Sequence, residues 1–340
     1  MKILVTGGGG YIGSVLVRLL LEKGYGVVCL DRFFFGKGSL GDVQNHKNLR
    51  IIRDDIRHFD PGLLDGVDAV MDLAALSGDG VGELNPNLTI DINSKGRARV
   101  AQLSKKHGVK RYILASSSTV YGFSGDVLNE SSPVNPQTTY SKANLLAEQS
   151  VMPLADSNFN VTSLRQATVY GMSPRMRFDL AVNGMTLGFF KNGRVPVRRD
   201  GNQWRPFVHV ADTSRAFVAA LEADSELVNR QLFNVGGYDQ NWQVLNLARN
   251  VAESIGVPFV HDWYGDPDPR SYRLSFEKIR NVLKFTPKYT VRDGAREVLA
   301  ALKDGKTKGE DLRTNTVAWY KHLIEMHSIL KEVEMNGSIL

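Results

Sequence analysis

The chain has 340 residues and a net charge of +6, with 42% hydrophobic and 23% charged residues. This is the composition of an ordinary globular protein, long enough for one large or two modest domains. Cys29 is the only cysteine, so no disulfide scaffold is available, and no apolar run approaches the about 18 residues of a membrane span.

Lys2–Thr6 is expected to be a strand, Tyr11–Lys23 a helix and Gly26–Leu30 a second strand. Short strands follow at Ile51–Ile52 and Ala69–Leu73, then a helix over Ile92–His107 and a strand over Arg111–Ser116. A helix over Tyr140–Val151 and a strand over Val161–Arg165 complete the alternation. Such alternation predicts an α/β protein with a Rossmann-type doubly wound parallel sheet, its ligands at the carboxyl ends of the strands. Beyond Gly171 the pattern loosens, although Gln231–Val235 again looks like a strand. The expected organisation is a dinucleotide-binding domain over 1–171, to which 207–238 returns. A smaller substrate-binding lobe takes 172–206 and 239–304, and 305–340 forms a helical tail packed on the body. The apolar start Ile3-Leu4-Val5 is too short for a signal peptide, so a cytoplasmic location is expected, with no membrane partner. No basic run interleaves with aromatics, so no nucleic-acid partner is expected either.

Thr6-Gly7-Gly8-Gly9-Gly10-Tyr11-Ile12-Gly13 joins a strand to a helix. Glycines there let the backbone approach a pyrophosphate, and the helix N-terminus offers amide hydrogens and a favourable dipole. Asp31 ends the second strand 18 residues after Gly13, near the spacing of about 20 for a carboxylate on the adenosine ribose. A carboxylate accepts from the 2′-hydroxyl and repels a 2′-phosphate, which favours NAD over NADP, with Arg32 pulling slightly the other way. No His or Cys spacing suggests a metal site.

With Asp55-Ile56, Leu73-Ala74-Ala75, Ser116–Gly122, Tyr140, Arg205–Asp212 and the stretch around Arg270, the chain resembles an extended short-chain dehydrogenase/reductase. The resemblance is to the NAD-dependent nucleotide-sugar epimerase/dehydratase group and runs from Met1 to about Arg296. It implies that Gly7, Gly10, Tyr11, Ile12, Gly13, Asp31 and Arg32 hold NAD, together with Asp55, Ile56, Leu73, Ala74, Ala75, Asn93 and Ser116. It also implies a Ser or Thr at Ser117, a base at Tyr140 and a lysine four residues later. Asn144 stands there instead, while Glu148 keeps the family register. Lys142 would point about 200° away from Tyr140 on a helix. A phenol titrates near pH 10, so as a base near neutrality it depends on nearby cations. Asn144 can reach the nicotinamide ribose but brings no charge. Asn144→Lys is therefore expected to change the rate or its pH profile.

Ser118 and Thr119 stand where 4,6-dehydratases of the group have Asp-Glu and decarboxylases keep a Glu, which disfavours both reactions. The resemblance assigns a nucleotide-diphosphate sugar to Ser77, Ser117, Thr168, Arg177, Asp179, Arg205 and Arg270. Thr168 replaces an Asn common in relatives, and His209 is expected to be structural. Ser173–Asp179 with the Arg205 stretch resembles a branch acting on unusual sugars, including GDP-heptoses oxidised at C4. The implied function is a nucleotide-sugar 4-epimerase working through a 4-keto intermediate, as a homodimer with NAD. The alternatives are a 4-dehydrogenase or 4-keto reductase, and a weakly active or non-catalytic NAD-binding sensor.

Overall fold

In the computed structural model, which describes residues 1–335, 337 and 338, fourteen strands and twelve helices alternate along the chain. The first five strands are β1 (Lys2–Thr6), β2 (Gly26–Asp31), β3 (Leu49–Arg53), β4 (Ala69–Asp72) and β5 (Arg111–Ser117). They are followed by β6 (Phe123–Leu128), β7 (Asn160–Gln166), β8 (Thr168–Tyr170), β9 (Val195–Arg198) and β10 (Trp204–His209). The last four are β11 (Gln231–Val235), β12 (Asn241–Gln243), β13 (His261–Tyr264) and β14 (Ser271–Leu274). The helices are α1 (Tyr11–Glu22), α2 (Asp79–Gly82), α3 (Pro86–Ile90), α4 (Arg97–Lys106), α5 (Thr139–Val151) and α6 (Ala181–Asn192). Then come α7 (Val210–Glu222), α8 (Ser225–Val228), α9 (Val244–Ile255), α10 (Glu277–Leu283), α11 (Val291–Lys303) and α12 (Thr316–Val333).

Seven of the strands form one parallel sheet in the order β11-β7-β5-β4-β1-β2-β3. Ile3, Leu4 and Val5 are fully buried because both faces are covered, which explains the unbroken apolar run in β1. On one face α1 and α7 pack side by side over Leu16, Val17, Phe217 and Phe233. On the other, α4 and α5 enclose Leu4, Val70, Val100, Tyr112 and Val151. A third apolar cluster lies in the outer lobe, where α6, α9 and α11 meet around Phe189, Leu247 and Val251. The lobe is richer in strand than the sequence suggests. β8, β10 and β12 make a three-stranded sheet, β13 pairs with β9, and β14 pairs with β6. Leaving β1, the chain runs outward through β2 and β3, then returns to β4 on the opposite side of β1. A crevice therefore opens between the carboxyl ends of β1 and β4, the switch point where such sheets bind ligands.

Asp72 at the end of β4 is fully buried beside Thr6 at the end of β1. Its carboxylate accepts from the Thr6 hydroxyl at 2.5 Å and from the Tyr112 hydroxyl, and Arg97 Nε lies 3.6 Å away. A second buried pair links α5 to β7. Arg165 forks onto Glu148 at 2.9 and 2.7 Å, and its remaining nitrogen donates to Tyr121 Oη at 3.0 Å. Removing one member of such a pair strands a buried charge. Glu148→Leu is therefore expected to cost about 3–5 kcal/mol in chemical denaturation, whereas a loss near zero would contradict the assigned burial.

Candidate active site

The glycine turn sets the floor of the crevice. A Cβ on Gly13 would lie 2.2 Å from the Gly7 carbonyl oxygen, so only glycine lets α1 begin this close to β1. Gly7 itself has φ +69°, and its missing Cβ would meet Ala74 N at 2.8 Å. Thr6 Oγ1 accepts from the amides of Leu73 and Ala74, both at 3.1 Å, which pins the segment after β4 beside the turn. A single cavity of about 850 Å³ opens above these elements, a size that suits a dinucleotide and a second ligand together. Gly7, Gly10, Tyr11, Ile12, Gly13, Asp31, Arg32, Asp55, Ile56, Leu73, Ala74, Ala75 and Ser77 all line it. So do Ser116, Ser117, Tyr140, Asn144, Thr168, Arg177, Asp179, Arg205 and Arg270.

At the end of β2, Asp31 presents its carboxylate to the same cavity. Asp31 accepts from Gly9 N at 2.9 Å and Phe33 N at 2.6 Å. Burial raises its pKa above the usual carboxylate range, against the pull of those amides and of Arg175. Arg32 turns away to pair with Asp55 at 2.8 Å. The Asp55 carboxylate is filled by Arg57 as well. Burial works against its charge, but Arg57 and Arg32 outweigh burial and hold the pKa below the ordinary range. The Tyr11 hydroxyl is also spent, donating to the Gly171 carbonyl at 2.6 Å and accepting from Asn183 at 3.0 Å. Asn93 is a correction: it does not line the cavity. Its side-chain amide brackets Leu76, accepting from the backbone N at 2.8 Å and donating to the backbone O at 3.0 Å. It therefore supports the loop rather than touching a ligand.

At the other end Ser117 and Tyr140 face the same space. Ser117 Oγ accepts from the Thr119 hydroxyl at 2.9 Å and the Thr119 amide at 3.3 Å, while Ser118 pairs with the Tyr272 hydroxyl at 3.1 Å. Tyr140 is the second residue of α5, just after a capping box from Thr138, and its hydroxyl hydrogen-bonds no other described residue. Asn144 is 1% exposed; its Nδ2 donates to the Tyr140 carbonyl at 2.9 Å and its Oδ1 accepts from Arg97 Nη1 at 3.1 Å. Lys142 is exposed, and among the described residues no lysine lines the cavity.

Arginines crowd the substrate side. Arg177 forks onto Asp179 at 3.0 and 2.7 Å and reaches Ser77 Oγ at 3.3 Å, so these three predicted residues do meet. Arg205 and Arg270 meet on Asp268, at 3.1 and 2.7 Å. Arg270 also pairs with Asp79, whose other oxygen accepts from Thr138 at 2.7 Å. His209 lies outside the cavity, bonded to Glu297 at 2.8 Å.

Several cavity residues escape sequence reasoning. Asp79, Asp268 and Arg97 carry no local motif, and Arg175 lies in the Ser173–Asp179 stretch without being singled out there. Arg175 stacks 3.5 Å from the Phe35 ring centre, donates to Thr316 Oγ1 at 3.1 Å and leaves Nη1 without a partner. Burial, with Arg177 adding to it, draws its pKa down to about 10. Thr316, Val317 and Tyr320 of α12 line the same end, and Trp319 Nε1 donates to the Phe34 carbonyl at 2.7 Å. The tail therefore does more than pack on the body, because it roofs the dinucleotide half of the cavity.

A parallel sheet with a glycine turn, a carboxylate at the end of the second strand and a Ser/Tyr pair beside clustered arginines defines a short-chain dehydrogenase/reductase scaffold. The family model for the NAD dependent epimerase/dehydratase family matches residues 3–236, and the chain belongs to that family. It is 29% identical over 322 residues to UDP-glucuronic acid decarboxylase 1 of Arabidopsis thaliana, covering 89% of this chain and 70% of that one. It is 28% identical to UDP-glucose 4-epimerase of Lactobacillus helveticus, covering 85% and 93%. Among solved structures, UDP-glucuronic acid 4-epimerase from Bacillus cereus, in complex with UDP-glucuronic acid and NAD, superposes with a TM-score of 0.79. That pair is 25% identical, with 89% and 99% of the two chains covered. MoeE5, in complex with UDP-glucuronic acid and NAD, also gives 0.79, at 27% identity and with 90% and 100% covered. NAD is the cofactor, and among the described residues no helix is long and apolar enough to cross a membrane.

Ribose hydroxyls donate best to an ionised carboxylate, and burial raises the Asp31 pKa. NAD affinity is therefore expected to fall on acidification at a higher pH than an ordinary carboxylate would cause. Calorimetry on Asp31→Asn should show weaker binding without that slope; an unchanged slope would contradict the assignment.

Proposed function

We propose that the protein is an NAD-dependent nucleotide-sugar 4-epimerase acting through a 4-keto sugar. The observation that carries this reading is that one cavity joins the dinucleotide cradle to Ser117, Tyr140 and the arginine cluster. Bound NAD would accept a hydride from the sugar carbon and return it. Tyr140 would take the C4 hydroxyl proton, its own hydroxyl being free of competing partners among the described residues. Ser117 would hold the same sugar oxygen, oriented by Thr119. The free hydrogen of Asn144 Nδ2 would meet the nicotinamide ribose. Arg205 and Arg270 would offer their planar forks to the diphosphate, where phosphate oxygens can exchange with Asp268 as partners.

Two observations favour epimerisation over other chemistry on this scaffold. Neither Ser118 nor Thr119 offers a carboxylate, and Asp79, Asp179 and Asp268 are each paired to an arginine, so among the described residues no carboxylate stands free at the sugar end for dehydration. The roof made by α12 favours a cofactor retained between turnovers, which an epimerase requires and a dehydrogenase does not.

The test is mass spectrometry of ligands carried through purification, followed by a panel of UDP-, GDP-, dTDP- and CDP-sugars. Retained NAD and a C4 epimer are expected. NAD consumed in step with product would instead establish a dehydrogenase. Tyr140→Phe is expected to lower kcat by about 10²–10⁴-fold. Absence of any Tyr140-dependent turnover across the panel would favour the non-catalytic sensor. Arg270→Met should raise KM for the nucleotide sugar about tenfold and leave NAD content unchanged; an unchanged KM would remove Arg270 from the diphosphate site.

A further inference from the structure

The site lacks a lysine, yet a buried cation stands directly behind the residue that replaces it. Arg97 opens α4, is 1% exposed, and reaches the cavity from beneath. Its Nη2 donates to the carbonyls of Asp72 (3.1 Å) and Ala115, and its Nη1 donates to Asn144 Oδ1 at 3.1 Å. Nε has no hydrogen-bond partner. The helix turn before it, Asp91–Gly96, is widened to a π turn, a feature that often marks functional positions.

We propose that Arg97 is a positioning residue that replaces the absent lysine: its guanidinium supplies the buried positive charge behind Tyr140 and fixes Asn144 toward the cofactor. Asn144 lies one helical turn beyond Tyr140 on the same face, and Arg97 lies one hydrogen bond beyond Asn144. The counter-charge sits on the far side. Asp72 does not line the cavity, and its carboxylate is already engaged by the hydroxyls of Thr6 and Tyr112. The pair is therefore an oriented dipole with its positive end toward the reaction space. Of the other charged groups around Tyr140, the arginine and the aspartate that line the cavity are paired, and the glutamate and the lysine on the outer side are in contact with solvent. Arg177, which interacts with Tyr140 electrostatically, is held by Asp179. Asp79 is held by Arg270, and Glu83 accepts from the amide and hydroxyl of Thr139. Lys142 on α5 is exposed.

The inference deepens the reading of Tyr140 as the base, and its test does not need turnover. The Tyr140 phenol can be titrated by ¹³C NMR of the NAD-loaded protein labelled at tyrosine Cζ, with Tyr140→Phe assigning the resonance. A cation favours phenolate, so Arg97→Met is expected to raise the midpoint by about one pH unit. Asp72→Asn removes the counter-charge and should lower the midpoint, a shift of opposite sign that a purely structural role would not produce. Asn144→Lys in the Arg97→Met background should bring the midpoint back. Arg97→Lys keeps the charge and should leave it in place, so the proposal stays testable if Arg97→Met does not fold. A midpoint that stays put in both Arg97→Met and Asp72→Asn, or moves the same way in both, would overturn the proposal. So would a larger upward shift in Arg177→Met than in Arg97→Met. If a nucleotide sugar is turned over, the acid limb of kcat should move with the midpoint while KM stays within about twofold. Midpoints that shift as predicted in a protein inert to every sugar would leave Arg97 in its role and fail the epimerase reading instead.

Discussion

A carboxylate buried at the end of the central strand β4 must be neutralised where it stands, and Asp72 meets that demand with three elements at once. Thr6 ties it to β1, Tyr112 to β5, and Arg97 to α4. A buried charge left unpaired would cost about 3–5 kcal/mol, a large share of the stability of an ordinary domain. The ends of β1, β4 and β5 are therefore held in register with α4 at the point where the sheet opens. The same Thr6 hydroxyl fixes the Leu73 and Ala74 amides beside the glycine turn. Cofactor cradle and buried ion pair are in this sense one construction.

Building outward from that point explains how the site divides its labour. The dinucleotide half is shaped by backbone, through Gly7, Gly13 and the amides around Asp31, and α12 covers it. The sugar half is shaped by side chains, with arginines held ready by Asp79, Asp179 and Asp268. Carboxylates that pair with arginines in this way preorganise forks that a diphosphate can take over. Tyr140 lies between the halves, and the buried cation bonded to Asn144, one turn further along α5, comes from α4 rather than from α5 itself.

The parts of this arrangement visible in the sequence are those imposed by backbone geometry or by a fixed local spacing. Gly7–Gly13 and Asp31 are legible because a tight turn and a strand end recur at set separations. Ser117 and Tyr140 are legible through their neighbours in the chain. Arg97 is not, because its meaning depends on Asn144, 47 residues away, and on a carboxylate in another strand. Asp79 is hidden for the same reason, since its arginine, Arg270, lies 191 residues on, and Asp268 joins the neighbouring Arg270 to Arg205, 63 residues back. The pairing of β14 with β6 joins short, partly polar segments that carry no strong alternation. Asn93 misleads in a different way, since a buried amide at the right position can serve the loop beside a cofactor without touching the cofactor.

The central claim is that the reactive end of the dinucleotide lies over Tyr140 and Asn144, with Arg97 behind them. A crystal structure of the NAD-bound protein tests it most directly. The account predicts nicotinamide-ribose hydroxyls within hydrogen-bond distance of Tyr140 Oη and Asn144 Nδ2, with Arg97 still bonded to Asn144 Oδ1. A nicotinamide directed away from Tyr140, or an Arg97 side chain withdrawn from Asn144 in the complex, would contradict it.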